Sequence, residues 1–338
     1  MGGALWRNRL LLTLVFFHLA CGLAISHSLE QPFTSGTLAA MLAQLKLILP
    51  LFVLLLVYGR YRWGQIYIKP DNQREWFIAD LKRIVLDGER IATGVLAFLA
   101  FVLFCATYSF LKDSIPLMVP FSWDPAFAEL DRMLHGGTDP WRLLLPVFGN
   151  PLATTAVNTV YHFWFFLMYF IVLWACFDTR NFEKSAIFLV AYVLTWVIGG
   201  NLFATLLSSA GPVFYADAGF GDTFVPLMER LRAVNQVSPV WALDVQRILL
   251  DGYLNNGPIK GISAMLSMHV GSTVVMTLFC FSHNRKLGWA MVAFTGLIVI
   301  GSVHLAWHYA VDSYFAIVIA LVCWALARWL LRWFPTQV

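Results

Sequence analysis

Two stretches near the C-terminus carry residues whose types and spacing could do chemistry. One reads HLAWHYAVD and places His304, His308 and Asp312 at intervals of four residues. The other reads SAMLSMHV and contains Ser267 and His269. Residues four apart share one face of a helix, so an aspartate at 312 could accept a hydrogen bond from the imidazole at 308 and make its other nitrogen more basic. Such an imidazole can attack phosphorus or remove a proton.

The second stretch supplies complementary groups. Ser267 and the amides before His269 lie where a long apolar segment begins. A helix N-terminus offers unpaired N–H groups and partial positive charge, which suit a phosphate. His269 could then protonate a leaving oxygen. Two histidines at one membrane face, one backed by a carboxylate, indicate phosphoryl-transfer chemistry on a lipid.

The composition predicts the environment of these residues. Of 338 residues, 59% are hydrophobic and 12% are charged, whereas soluble domains carry about 25% charged residues. The mean hydropathy is +0.71. All five cysteines fall inside apolar runs, where they act as small hydrophobic residues rather than disulfide partners. We therefore expect a polytopic membrane protein whose partners are lipid substrates and the bilayer, with no nucleic acid.

Apolar segments set the predicted fold class. A membrane span needs about 20 mostly apolar residues. The predicted architecture is an all-α transmembrane helix bundle of about eight spans, with short interfacial helices in the outer loops. The last apolar stretch is too long for one crossing, so it requires a turn near 302–308. The predicted spans are 10–29, 38–58, 91–111, 152–176, 184–208, 265–282, 287–306 and 309–332.

The distribution of cations orients the bundle. With the N-terminus inside, fifteen lysines and arginines lie in inside segments and seven in outside segments, leaving Lys46 within the second span. By the positive-inside rule both termini are then cytoplasmic. Both histidine stretches fall on the opposite, extracytoplasmic face. We expect an integral membrane protein, with the bacterial inner membrane as the predicted location.

Three regions between spans have helical patterns of their own. Inside, EWFIADLKRIV within 59–90 is typical of an interfacial amphipathic helix. Outside, within 112–151, Asp124 and Pro125 predict a cap and helix start, and Gly136 and Gly137 predict its end. The outer region 209–264 predicts two further short amphipathic helices. We divide the chain into N-terminal spans (1–150) and a catalytic core (151–334).

The histidine stretches resemble the type 2 phosphatidic acid phosphatase superfamily, and more closely its inositolphosphotransferase-like branch, which includes the inositol phosphorylceramide synthases. The family's P-S-x-H motif corresponds to residues 266–269 without the proline. Its Ser-Arg pair corresponds to Gly301 and Ser302, so the arginine is absent. The transferase branch, which includes sphingolipid enzymes, also lacks that arginine and keeps HY-x-(I/V)-D, as here. The resemblance covers roughly 150–330.

The resemblance implies roles for individual residues. His308 would be the nucleophile that forms a phosphohistidine, Asp312 would orient it, and His269 would be the general acid or base. SSAGPVFY, at 208–215, is similar to the transferase branch's degenerate first motif. The predicted phosphate-binding residues are Ser267, Lys260, His304, Ser302 and Tyr215.

Without the family's arginines, other cations must offset the negative charge of the phosphoryl group. Transferred phosphoryl groups gather negative charge in the transition state, which positioned cations stabilise. A phosphodiester carries one charge fewer than a monoester and needs fewer cations, which favours diester transfer. Lys260, seven residues before Ser267, is the first candidate replacement. Weaker candidates are Arg230, Arg232 and Arg247.

Other functions stay open. The first hypothesis is a phosphotransferase that moves a phosphorylated headgroup between lipids; the alternatives are a lipid phosphatase acting on a phospholipid, phosphorylated sphingoid base, lipid A or polyprenyl phosphate, and a non-enzymatic protein with a vestigial site. A metal site is disfavoured because His304 and Asp312 lie about 12 Å apart along a helix, so we expect no metal and no cofactor. The remaining histidines, His18, His27, His135, His162 and His283, fit interfacial polar positions.

Overall fold

A computed structural model describes residues 2–335, and over that range the chain is helical with no β-strand. Short π-helical stretches extend α2 at Gly64–Ile68 and join α8 to α9 at Trp196–Phe203, and Pro212–Phe214 form a 3₁₀ turn. The α-helices are α1 (Gly2–Ser28), α2 (Gly36–Trp63), α3 (Gln73–Val85), α4 (Gly88–Met118), α5 (Asp124–Leu134), α6 (Pro140–Phe148), α7 (Pro151–Phe177), α8 (Phe182–Thr195), α9 (Ala204–Leu206), α10 (Val225–Asn235), α11 (Ala242–Leu254), α12 (Met268–His283), α13 (Arg285–His304) and α14 (Ala310–Trp333).

The predicted all-α polytopic bundle is confirmed. Among the described residues, seven helices are long and apolar enough to cross a membrane: α1, α2 with its extension, α4, α7, the continuous helix Phe182–Leu206, α13 and α14. The remaining predicted span, 265–282, is α12. It has 16 residues, about 24 Å, which is shorter than the roughly 30 Å hydrocarbon core.

Helix α12 begins at Met268, three residues later than predicted, because hydrogen bonds to the distant Ser209 fix the path of the residues before it. The Ala264 amide donates to the Ser209 carbonyl at 2.9 Å, and the Met265 amide donates to Ser209 Oγ at 3.1 Å. The first N–H groups of a helix have no acceptor within it, so these bonds act by positioning the segment. The segment 259–267, called the connecting segment below, therefore runs outside any helix.

The short α12 lies in the interior of the bundle. It packs against α7, α8, α13 and α14, and Val270, Val275, Met276 and Phe279 are fully buried. A helix surrounded by other helices does not have to match the bilayer thickness with its own apolar length. By contrast, α2 buries only Ile48, as expected of a helix that faces lipid.

Two short connections determine where His269 and His308 lie along the bundle axis. Asn284 alone separates α12 from α13, and its side chain accepts hydrogen bonds from the amides of Lys286 and Leu287 at 2.8 and 3.2 Å. Residues 305–309 form the turn between α13 and α14, which overlaps the predicted turn at 302–308. The start of α12 and the end of α13 therefore lie at the same end of the bundle.

The short helices outside the spans agree with the predicted patterns, with two differences. The predicted helices correspond to α3, α5, α10 and α11, and Gly136 and Gly137 adopt φ of 66° and 83° just after α5. The helix α6 was not predicted. Asp124 was expected to cap α5, but the helix begins at Asp124 itself, whose carboxylate is bonded elsewhere.

Candidate functional site

His308 lies in the turn before α14, 9% exposed. Its Nδ1 is 2.8 Å from the carbonyl oxygen of Ala264 and 3.4 Å from Oδ2 of Asp312. Because a carbonyl oxygen only accepts hydrogen bonds, Nδ1 carries the proton and Nε2 keeps a free lone pair. Burial and the positive charge of Lys112 lower the pKa of His308 to about 3, despite the bond to Ala264. The ring is therefore neutral near pH 7, as a nucleophile must be.

Asp312 is fully buried in the first turn of α14. Its Oδ2 accepts a hydrogen bond from the Tyr309 amide at 3.1 Å. The aspartate thus caps α14 as well as lying beside the His308 ring, so its place is fixed by the helix that it begins.

His269 is the second residue of α12 and is held by aromatic rings. Its ring stacks on Tyr161 with centroids 4.5 Å apart and lies 4.1 Å from the ring centroid of Trp164. Its Nε2 is buried, and no residue in 2–335 hydrogen-bonds to it. The His269 and His308 rings are close enough to interact electrostatically. The structure thus brings together the two histidines that the sequence singled out.

Ser267 and Ser302 join the helix ends around the histidines. Their hydroxyl oxygens are 3.3 Å apart, and both residues are fully buried. The Ser302 carbonyl also accepts a hydrogen bond from the His308 amide at 3.0 Å. These two predicted phosphate contacts therefore lie beside the His308 turn.

The other predicted phosphate contacts point elsewhere. Lys260 Nζ donates to Asn256 Oδ1. His304 Nε2 lies 3.0 Å from Thr154 Oγ1. The Tyr215 ring packs edge-on against Phe224 with centroids 5.2 Å apart. None of the three has a contact with His308 among residues 2–335.

Two of the three weaker predicted cations, Arg230 and Arg247, form contacts elsewhere. Arg230 Nη2 donates to the carbonyl of Gly149 at 2.7 Å. Arg247 forms an exposed ion pair with Asp244 at 3.2 Å. Their contacts therefore tie them to the outer helices rather than to the His308 turn.

The loop Ser208–Tyr215 packs between the two histidine segments. The Val213 amide donates to the Ala306 carbonyl at 2.9 Å. Gly211 has φ of 96°, and a Cβ there would lie 2.9 Å from Ala264 Cβ and 3.0 Å from the Trp307 carbonyl oxygen. The backbone at 211 thus approaches both segments more closely than a side chain would allow.

Two carboxylates that the sequence analysis did not select hold this arrangement. Asp124 accepts hydrogen bonds from the amides of Ala210 and Gly211 and from the Tyr309 hydroxyl, at 2.8, 2.7 and 2.7 Å. Asp131, two turns later on α5, accepts from the first amides of α14 at 2.7 and 2.9 Å. Burial raises the pKa of both carboxyls, that of Asp131 to about 6, against the effect of the amide bonds. The sequence signal for this pair was their spacing: Asp124 and Asp131 are seven residues apart and so lie on one face of a helix.

Lys112 is a further residue that the sequence analysis did not select. It lies near the end of α4, and its Nζ donates to the Ser263 carbonyl at 3.1 Å. Its charge acts on His269 and on His308. The sequence signal was a charged pair, Lys112 and Asp113, within an apolar helix.

The geometry can be compared with known protein families. A family model described as PAP2 superfamily matches residues 125–326, more than half of the chain. The match contains both histidine segments and the Ser208–Tyr215 loop. Comparison with curated proteins and with solved structures gave no match. Members of this superfamily are phosphatases and phosphotransferases. The seven long apolar helices and the family match together identify the chain as a membrane protein of the PAP2 superfamily.

Proposed function

We propose that this protein is a membrane phosphotransferase that moves a phosphorylated headgroup from a donor lipid to a lipid or polyol acceptor, as in the inositolphosphotransferase-like branch of the superfamily. The observation that carries the proposal is the state of His308. Its Nδ1 proton is held by the Ala264 carbonyl beside Asp312, which leaves Nε2 as the attacking atom. His269 lies within electrostatic reach.

The proposed reaction has two displacements at phosphorus. First, His308 Nε2 bonds to phosphorus and the bond from phosphorus to the donor lipid's oxygen breaks. His269, protonated once the anionic phosphoryl group lies beside it, gives its proton to that oxygen. The products are a phosphohistidine and a lipid alcohol. Second, the acceptor hydroxyl gives its proton to His269 and attacks phosphorus, and the P–N bond breaks. His308 returns to its starting state.

Two features favour a transferase over a phosphatase. Ser302 stands where the phosphatase branch has arginine, and its hydroxyl faces Ser267 rather than offering a cation. A phosphodiester, with one charge fewer, is better matched to such a site. In addition, His308 is 9% exposed and Asp312 fully buried. Limited access for water favours attack by a bound acceptor hydroxyl.

Charge at the helix ends supports an extracytoplasmic site. The His308 turn lies at the end of α13, whereas Arg285 and Lys286 begin that helix at the opposite end. Arg328 and Arg332 lie in the last turns of α14, also away from the turn. Under the positive-inside rule the cationic end is cytoplasmic. The site would then face outward, with both termini in the cytoplasm and, in a bacterium, the protein in the inner membrane.

Product analysis tests the proposal. Purified protein is incubated with a phosphodiester lipid labelled at phosphorus, with and without ceramide or inositol as acceptor, and in parallel with phosphatidic acid labelled at phosphorus. We expect an acceptor-dependent labelled product from the diester together with release of diacylglycerol. Inorganic phosphate from phosphatidic acid, with no acceptor-dependent product from the diester, would instead identify a lipid phosphatase. The matched controls are His308→Ala, expected to be inactive, and His283→Ala, expected to be active because His283 pairs with Asp178 at the other end of α12.

A further inference from the structure

Lys112 lies beneath the connecting segment that supports His308. Its Nζ binds the Ser263 carbonyl at 3.1 Å, and the next carbonyl along the chain, that of Ala264, holds the His308 ring. A Cβ at Gly261 would lie 3.5 Å from Lys112 Cγ, so the segment rests directly on the lysine's aliphatic stem. The ammonium is therefore held one residue along the backbone from the anchor of the proposed nucleophile.

Two of the three N–H groups of the Lys112 ammonium form no hydrogen bond within residues 2–335. An ammonium carries three N–H groups, and within 2–335 its only hydrogen bond is the one to Ser263. No carboxylate in that range lies within 4.0 Å of it. The neighbouring Asp113 carboxylate instead accepts from Ser35 Oγ at 2.7 Å. Asp113 acts on the ammonium only from beyond 4.0 Å, and a charge near a bilayer without a direct ion pair is typical of functional positions.

Two buried polar atoms on the adjoining segments have no hydrogen-bond partner in residues 2–335. Ser263 Oγ and His269 Nε2 are both inaccessible to solvent, and neither has a hydrogen-bond partner in the described part of the chain. Unpaired buried polar atoms cost about 1–3 kcal/mol each. Three groups can therefore donate a hydrogen bond to an anion: Lys112 Nζ on α4, Ser263 Oγ on the connecting segment and His269 Nε2 at the start of α12. The charge of Lys112 reaches both catalytic-site imidazoles.

We propose that Lys112 and Ser263 form the subsite that binds the non-bridging phosphoryl oxygens during transfer, in place of the arginine missing at the Ser302 position. This inference rests on the proposed function and narrows its substrate class. One ammonium balances the single negative charge of a phosphodiester and leaves a monoester dianion under-compensated. Lys112 lies outside the family match at 125–326, so the N-terminal spans would complete the site.

Turnover of lysine variants tests the subsite. We expect Lys112→Met to lower kcat about 100-fold, as for loss of one transition-state donor, and Lys112→Arg to recover most of that loss. Ser263→Ala should lower kcat by about 10-fold, near the upper end for a neutral hydrogen bond. Lys286→Met, exposed at the start of α13, is the matched control and should keep full activity. A large loss in Lys260→Met with none in Lys112→Met would overturn the assignment.

Binding of inorganic phosphate gives a readout that does not depend on turnover. The full-length protein in detergent is titrated with phosphate and its thermal stabilisation is measured. We expect Lys112→Met to weaken phosphate binding at least 10-fold and Lys112→Arg to retain it, which a merely structural lysine would not produce. If Lys112→Met does not fold, Lys112→Gln and Ser263→Ala take its place with the same expectations.

Different results would overturn the transferase proposal and the Lys112–Ser263 subsite. Active wild-type protein whose Lys112 and Ser263 variants keep wild-type kcat and phosphate affinity would overturn the subsite alone. Wild-type protein that binds phosphate through Lys112 but forms no acceptor product would overturn the transferase proposal alone.

Discussion

The Nδ1 atom of His308 lies closer to the carbonyl oxygen of Ala264, at 2.8 Å, than to the carboxylate of Asp312, at 3.4 Å. The sequence analysis assigned the orientation of this ring to the aspartate alone. In the structure a main-chain atom makes the shorter contact, and the aspartate also accepts the Tyr309 amide. Two acceptors thus share the Nδ1 proton.

Asp312→Asn should therefore be less damaging than loss of His308, the proposed nucleophile. The Ala264 carbonyl still holds the tautomer, and the asparagine oxygen can still accept the Tyr309 amide. We expect kcat to fall about 100-fold, the lower end for loss of acid–base support, whereas His308→Ala should leave no turnover. The measurement is acceptor-dependent product formation. Equal loss in both variants would show that the carboxylate, not the carbonyl, fixes the ring.

The close approach at Gly211 can be measured against a matched glycine. Gly211 and Gly221 share a positive φ, 96° and 98°, but only Gly211 would place a Cβ within 4 Å of neighbouring atoms. Gly221→Ala should cost about 1 kcal/mol from backbone strain alone. Gly211→Ala should cost a further 1–3 kcal/mol, as overpacking does, and should lower turnover. Thermal unfolding in detergent measures the loss of stability, and the activity assay measures turnover. Equal losses in Gly211→Ala and Gly221→Ala would argue against a packing role for Gly211.

The bond between Asp124 and the Tyr309 hydroxyl, 2.7 Å long, can be measured in a double-mutant cycle. The variants are Asp124→Asn, Tyr309→Phe and the combination of both. Because the bond is buried and joins α5 to the His308 turn, we expect a coupling free energy of about 1–2 kcal/mol. Strictly additive changes in unfolding free energy would mean that this bond does not support the turn.

Asp131 should make stability depend on pH. Burial raises its folded-state pKa to about 6, above the unfolded value of about 3.9. The folded state then binds the proton more tightly, so this contribution to stability is full below about pH 4 and is lost as pH rises through 6. Asp131→Asn cannot titrate and should show a weaker fall in melting temperature between pH 4 and 7. Parallel curves for the two proteins would contradict the raised pKa.

The fold was largely predictable because its main signals are local. Apolar run lengths predicted the spans, and the excess length of the last run predicted a turn near 302–308, which the structure has at 305–309. The start of α12 was predicted too early because the amides of Ala264 and Met265 are bonded to Ser209. That partner lies more than 50 residues away, and no local pattern reveals it.

Asp124 and Lys112 were not predicted as site residues because their partners are also distant in the sequence. The sequence predicted a local capping role for Asp124, whereas its carboxylate accepts hydrogen bonds from partners 86 and 185 residues away. Lys112 and the Ser263 carbonyl are 151 residues apart. Lys260 was chosen for its closeness in sequence to Ser267, yet it contacts Asn256. Proximity along the chain is a poor guide to position where the backbone is not helical.

The one-residue hinge at Asn284 makes the spacing of the two histidine segments a matter of residue count. Adding one residue within α13 would rotate its far end by about 100°, carrying Ser302 away from Ser267. The hairpin should therefore tolerate changes of side chain far better than changes of length. Related proteins that share this site should keep an unaltered number of residues between positions 269 and 308, even where few of those residues are the same.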